Sequence, residues 1–220
     1  MLQKLPSTVK IKTESSIKKK TELLCGFVLE NSNQVLGLTK IDKKIALSIN
    51  QSLKDMDGKL GKLNIIPTPG AKYASRILLA GLGKKEDFTN DTIRYVSGKI
   101  AQKARELKLN EFSIISPPSF VCDPISSISQ IVEGSKMALY KFDKFKAEKT
   151  EKTPGLTIIV SKSNNISKAL KISEIVADGA IFTKSIANLP PNECTPTTLA
   201  NFAKMISKKN KMKCNIICKL

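Results

Sequence analysis

The residues able to do chemistry in this chain are few, and their types narrow the chemistry at once. There is no histidine and no tryptophan among the 220 residues, which removes Ser-His-Asp triads, Cys-His dyads and every zinc site that needs imidazole. Carboxylates could still hold a metal. The closest pairs are Asp55 with Asp57 beside a turn, Glu86 with Asp87 in a loop, and Glu174 with Asp178 one helical turn apart, and each reads first as a solvated pair. Gly81-Leu82-Gly83-Lys84 follows an apolar run, as a phosphate-cradling turn would. Residue 86 is Glu where the dinucleotide fingerprint has its third glycine, and G-x-x-x-x-G-K-[ST] is absent, so a tight turn without a ligand is the simpler reading. Lys18-Lys19-Lys20 could grip phosphates or could merely solvate a hairpin turn.

The cysteines, Cys25, Cys122, Cys194, Cys214 and Cys218, number five and include no C-x-x-C pair. They argue against a disulfide framework. Cys25 and Cys218 lie in apolar runs and read as small core residues. The formal net charge is +18, from 37 basic and 19 acidic side chains, a field that would attract nucleic acid or other anions. Only Arg76, Arg94 and Arg105 are arginines, leaving 34 lysines, and bidentate recognition of phosphates and bases favours the guanidinium fork. With few aromatics available for base stacking, a solvated lysine surface competes with the binding reading. No stretch has the length of a membrane span and the first 20 residues carry no secretory core, so the expected location is cytoplasmic.

The elements that must position these residues read as α/β, with strand-like and helix-like segments alternating through the first 160 or so residues. Val9 to Thr13 alternates as an edge strand does, and Leu23 to Leu29 is continuously apolar as a doubly covered central strand should be. A helix is predicted from Ile41 to Lys54, stopped by Asp57-Gly58, and a buried strand at Arg76 to Gly83. Ile93, Val96, Ile100, Ala104 and Leu107 recur at helical spacing over Asn90 to Lys108, with Asn90 or Asp91 as the predicted cap. Phe112 to Ile115 reads as a strand, Ile125 to Tyr140 as a helix, and Leu156 to Ser161 as a closing strand. No internal repeat is present.

Beyond Ser163, the 24 residues from Asn165 to Asn188 can form one helix roughly 36 Å long, a connector's length. Leu189-Pro190-Pro191 stops it, and Thr195-Pro196 starts another with Thr195 as cap. A final strand is predicted from Lys213 to Cys218. These last residues carry too little apolar surface for an independent core and read as the beginning of a second domain. The boundaries expected are 1–163 for the first domain, 164–188 for the linker helix and 189–220 for the incomplete second domain.

The stretch Asn188-Leu189-Pro190-Pro191-Asn192-Glu193-Cys194-Thr195-Pro196 resembles the N-x-P-x-N-x-x-T-P segment that opens the catalytic domain of the leucyl aminopeptidase (cytosol aminopeptidase) family. Arg76 to Lys84 is similar to that family's hydrophobic strand and glycine turn, and Leu139 to Lys146 to its tyrosine and phenylalanine segment, in the same order and spacing. The resemblance covers essentially the whole chain. It implies a macro-like α/β domain with a mixed sheet and flanking helices, a long linking helix, and the first elements of the peptidase domain. It also implies, for the full-length enzyme, two divalent metals (Mn or Zn) held by a lysine and carboxylates, removal of N-terminal residues from peptides, and a homohexamer. The family's N-T-D-A-E-G-R and lysine-bearing G-K-G signatures are absent from this chain. No catalytic or metal residue is therefore assigned to it, and the chain is expected to be an isolated fragment or the product of a truncated gene, serving assembly or regulation. The alternative expectation is a free-standing basic domain that binds nucleic acid, as some bacterial family members bind DNA, or a nucleotide ligand near Gly81 to Lys84 by analogy with macro domains.

Overall fold

The structure is a computed structural model that describes residues 9–38, 43–146, 152–161 and 165–217. Six strands form one sheet in the order β1 (Ile11–Glu14), β6 (Gly155–Ile159), β5 (Glu111–Ile115), β2 (Leu24–Val28), β4 (Arg76–Gly81) and β3 (Leu63–Pro67). Every neighbouring pair is parallel except β3 with β4. β1 lies at an edge and the wholly buried β2 inside the sheet, as alternating and continuous apolar patterns require. The mixed α/β fold with flanking helices is the expected one.

Alternation along each strand sends side chains to two different cores. Leu78 and Ala80 of β4 join Cys25, Phe27, Phe112 and Ile114 beneath α2 (Asn90–Glu106) and α3 (Pro124–Leu139). Ile77 and Leu79 join Val28 and Ile66 beneath Ile49, Leu53 and Met56 of α1 (Lys43–Met56). α2 and α3 approach closely because each has a glycine at the contact. A Cβ on Gly134 would run into the Arg94 carbonyl, and one on Gly98 would sit 3.3 Å from the Gly134 carbonyl oxygen.

Several expectations need correction. β3 had no predicted counterpart: its five residues end in Pro67, a pattern that argues against a central strand but is tolerated at the edge β3 occupies. Lys18-Lys19-Lys20 does not turn a hairpin, since β6 and β5 stand between β1 and β2. The segment crosses the sheet instead, with Ile17 packed against the cluster of Leu24, Ala74 and Ile115. The cap of α2 is Thr89, not Asn90 or Asp91: its N–H donates to the Thr92 hydroxyl at 3.1 Å, and Asn90 already lies within the helix. Residues 41 and 42 of the predicted first helix lie outside the described residues.

Residues 213–217 form no strand, and Cys218 lies outside the described residues. A strand's backbone groups must pair with a neighbour, and this exposed segment has no strand partner among the described residues.

The chain divides into two compact units, 1–181 and 182–220, and the division falls within α4 (Ile166–Ala187), which runs for 22 residues where 24 were predicted. In the first unit, α4 is tied to α3 by the Ser173 hydroxyl donating to Ser129 at 2.9 Å and by an ion pair between Lys136 and Asp178. In the second, Phe182 meets Phe202 of α5 (Pro196–Lys209) edge to face, with ring centroids 6.0 Å apart.

Candidate functional site

An anion-binding turn needs backbone amides that are not already spent. In the turn after β4 they are spent: Gly81 N–H donates to the Lys62 carbonyl at 2.9 Å, Leu82 N–H to Val28 at 2.8 Å and Gly83 N–H to Gly58 at 3.0 Å. Glycine is required here for close packing, because a Cβ at Gly81 would strike the Lys59 carbonyl, and Gly83 sits at φ +78°. Gly81 to Gly83 therefore join two turns to each other, which fits the tight turn read from the sequence and leaves these three amides unavailable to an anion.

Doubly wound sheets bind ligands where successive crossovers leave a strand pair in opposite directions, outside the carboxyl ends of the strands. That point lies between β2 and β5, whose pairing is confined to Leu24 with Ser113 and Cys25 with Ile114. Beyond Cys25 the space belongs to the chain's own segment 35–37. Leu36 N–H donates to the Phe27 carbonyl at 2.8 Å, Val35 covers Gly26, and Gly37, at φ +76°, lies against Ile115 and the Ser116 carbonyl. A ligand entering there would have to displace Leu36, which satisfies the Phe27 carbonyl, and its neighbours Val35 and Gly37, which pack against the strand ends.

The carboxylate pairs do not converge either. Asp57 faces Lys59 at 3.5 Å and Lys62 at 3.8 Å, while Asp55, Glu86 and Asp87 are exposed. Among the described residues no three of His, Cys, Asp and Glu come together as metal ligands. Asp178 corrects its predicted solvated role: Lys136 Nζ lies 2.6 Å from it, and the lysine side chain is only 2% exposed. The sequence carried a signal for this, because Lys136 falls on the apolar face of α3 between Val132 and Leu139. Of the three arginines, Arg94 is held by Asp91 at 3.0 Å and Glu133 at 3.3 Å, and Arg105 donates to the Ala138 carbonyl at 3.3 Å. Both serve the joint between α2 and α3.

Cys25 and Cys122 are buried free thiols. Burial pushes the Cys25 thiol far above its ordinary range, and burial followed by the negative Asp123 raises that of Cys122. The stability consequence has a definite sign. Below about pH 8.5 both native and unfolded Cys25 hold their proton; above it the unfolded thiol ionises while the native one does not, so stability falls as pH rises. By pH 9.5 the Cys25 contribution to this loss is expected to reach about 1.4 kcal/mol. Urea midpoints at pH 7.5 and 9.5, for the native chain and for Cys25→Ala, check it: the variant should lose less stability across the interval.

The segment from Asn188 to Ala200 is a corner built from helix-end signals. Leu189 N–H donates to Ile186, closing α4, and Glu193 and Cys194 N–H both donate to the Pro190 carbonyl. Thr195 then caps α5, its hydroxyl accepting from Thr198 N–H at 3.2 Å, with Pro196 at the first helical position. The predicted cap and proline are where the sequence placed them, and this geometry accounts for the motif's threonine and prolines without a catalytic role.

The sequence profile of the cytosol aminopeptidase family, N-terminal domain, matches residues 27–149. The chain belongs to the cytosol aminopeptidase family. The probable cytosol aminopeptidase of Cenarchaeum symbiosum is 36% identical over 204 residues, covering 92% of this chain and 40% of that protein. That of Dechloromonas aromatica is 32% identical, covering 94% of this chain and 44% of that protein. This cytosol aminopeptidase family chain thus spans about two fifths of the length of the curated relatives it matches. Its fold is that of a tomato leucine aminopeptidase mutant, with a TM-score of 0.74 at 21% identity over 95% of this chain and 44% of that one. The bottromycin maturation enzyme BotP follows at a TM-score of 0.65 and 11% identity, over 89% of this chain and 39% of that one. BotP is also known in complex with Mn. Among the described residues no donor set fits a pair of divalent metals.

Proposed function

We propose that this chain is the N-terminal, non-catalytic portion of a leucyl aminopeptidase-like dimetal exopeptidase. The observation that carries the reading is the match of residues 27–149 to the family's N-terminal domain, in a chain that spans about two fifths of its relatives. Residues 1–163 are its α/β domain, 164–188 its linker helix and 189–220 the start of the catalytic domain. The full-length enzyme would be cytoplasmic, hold two divalent metals, Mn or Zn, beyond the residues of this chain, and remove N-terminal residues from peptides as a homohexamer. The first unit supplies a two-sided core and a close helix pair, and the second a capped corner that opens the next domain. The nucleic-acid alternative draws on net charge and on family analogy, and two of the three arginines are occupied between helices.

The purified 220-residue chain is expected to release no leucine from Leu-p-nitroanilide above the rate without protein, with either Mn²⁺ or Zn²⁺ added. Robust metal-dependent release would overturn the non-catalytic reading. A complementary check is the native mass in cell extract. A species more than twice 24.1 kDa carrying the Asn90 to Glu106 epitope identifies the longer enzyme, and a species at 24.1 kDa a protein that acts alone.

A further inference from the structure

α4 is apolar on two sides, and only one of them is covered. Ala169, Ser173, Ala177 and Ile181 are buried. On the other side Ile172, Ile175 and Val176 are 51%, 62% and 52% exposed, and Gly179 continues the same stripe at helical spacing, with open space where a Cβ would be. Single exposed apolar residues are ordinary, but three adjoining β-branched ones with a glycine are not. On a solvated helix face only propensity matters, and there Ile, Val and Gly are each worse than Ala, Lys or Glu. α4 therefore carries a cost in helix stability that no packing among the described residues returns. α4 also lies beyond the family's N-terminal domain match, which ends at residue 149, in relatives of which this chain spans only 40 to 44%.

We infer that the face of Ile172, Ile175, Val176 and Gly179 is a docking surface for the catalytic portion of a cytosol aminopeptidase chain, with Gly179 admitting a close backbone approach. The inference rests on the reading of this chain as that enzyme's N-terminal portion.

The test joins the full 220 residues to the remaining C-terminal part of the Cenarchaeum symbiosum relative and compares this chimera with the chain alone. In both, Ile175→Cys is labelled with a maleimide and mapped by mass spectrometry, with buried Cys25 reporting in the same sample that the domain is folded. Labelling of residue 175 is expected to be rapid in the chain alone and at least tenfold slower in the chimera. Rates within twofold of each other overturn the docking surface, and protection already present in the chain alone overturns it in favour of self-association. A second variant, Ile172→Glu with Val176→Glu, should shift Tm by no more than about 2 °C in the chain alone, as surface changes do, and lower it by several times that in the chimera; equal shifts overturn the inference. Release of leucine by the chimera is read separately. An inactive chimera with residue 175 protected counts against the functional reading and for the surface, and an active one with residue 175 freely labelled does the reverse.

Discussion

Asp178→Ala is expected to destabilise the first unit by about 3–5 kcal/mol, because it leaves the Lys136 ammonium without its counter-charge in a site it cannot leave. The lysine side chain is 2% exposed, and Asp178 lies 2.6 Å away. Lys136→Met should cost less, since the remaining Asp178 side chain is 29% exposed and can hydrate in part. The double variant Lys136→Met with Asp178→Leu should recover most of the loss, as well-packed apolar residues often replace a buried ion pair at little cost. Urea denaturation of these chains together with Asp178→Leu alone closes the cycle and gives the coupling. Independent, additive effects would show that the two charges do not act as a pair. A loss of this size is a large share of the 5–15 kcal/mol typical of a whole domain.

Gly134→Ala is expected to be destabilising by about 1–3 kcal/mol despite alanine's better helix propensity, through overpacking at the joint of α2 and α3. The new methyl would meet the backbone carbonyl of Arg94, which cannot rotate aside as a side chain could. The helices must separate, straining the Arg94 contacts with Glu133 and Gln130 at 3.3 Å and 2.9 Å. Gly179→Ala in α4 is the matched control: no atom lies within 4 Å of its added Cβ, so the change should stabilise the chain by about 0.5–1 kcal/mol. Opposite signs at two helical glycines, read from thermal melts of the full chain, would tie the first loss to the close approach. Equal signs would refute that explanation.

Much of the fold could be read from short-range patterns, because they act through local physics. The continuous apolar run around Phe27 and the helical spacing of Ile93, Val96 and Ile100 need only burial on the correct faces, and the structure buries them. The capping signal at Thr195-Pro196 is likewise local, satisfied by the hydrogen bond from Thr198 N–H. β3 was not legible, since Leu63–Pro67 becomes a strand only by pairing antiparallel with β4, and that partner is supplied by tertiary folding. The same dependence, in the opposite sense, holds at residues 213–217, which find no strand partner among the described residues and form no strand.

The composition alone removed imidazole chemistry from this protein, and the three ordered motifs alone pointed to its family. What only the tertiary structure decided is what fills the places where a ligand could have bound. The glycine turn spends its amides on the carbonyls of Gly58, Lys62 and Val28, and the carboxyl ends of β2 and β5 are closed by Val35, Leu36 and Gly37. Lys136, indistinguishable in composition from 33 other lysines, is buried against Asp178, 42 residues away in sequence. Residue type and spacing govern which local structure can form, whereas satisfaction of a buried amide or ammonium depends on which distant group the fold brings within hydrogen-bond reach.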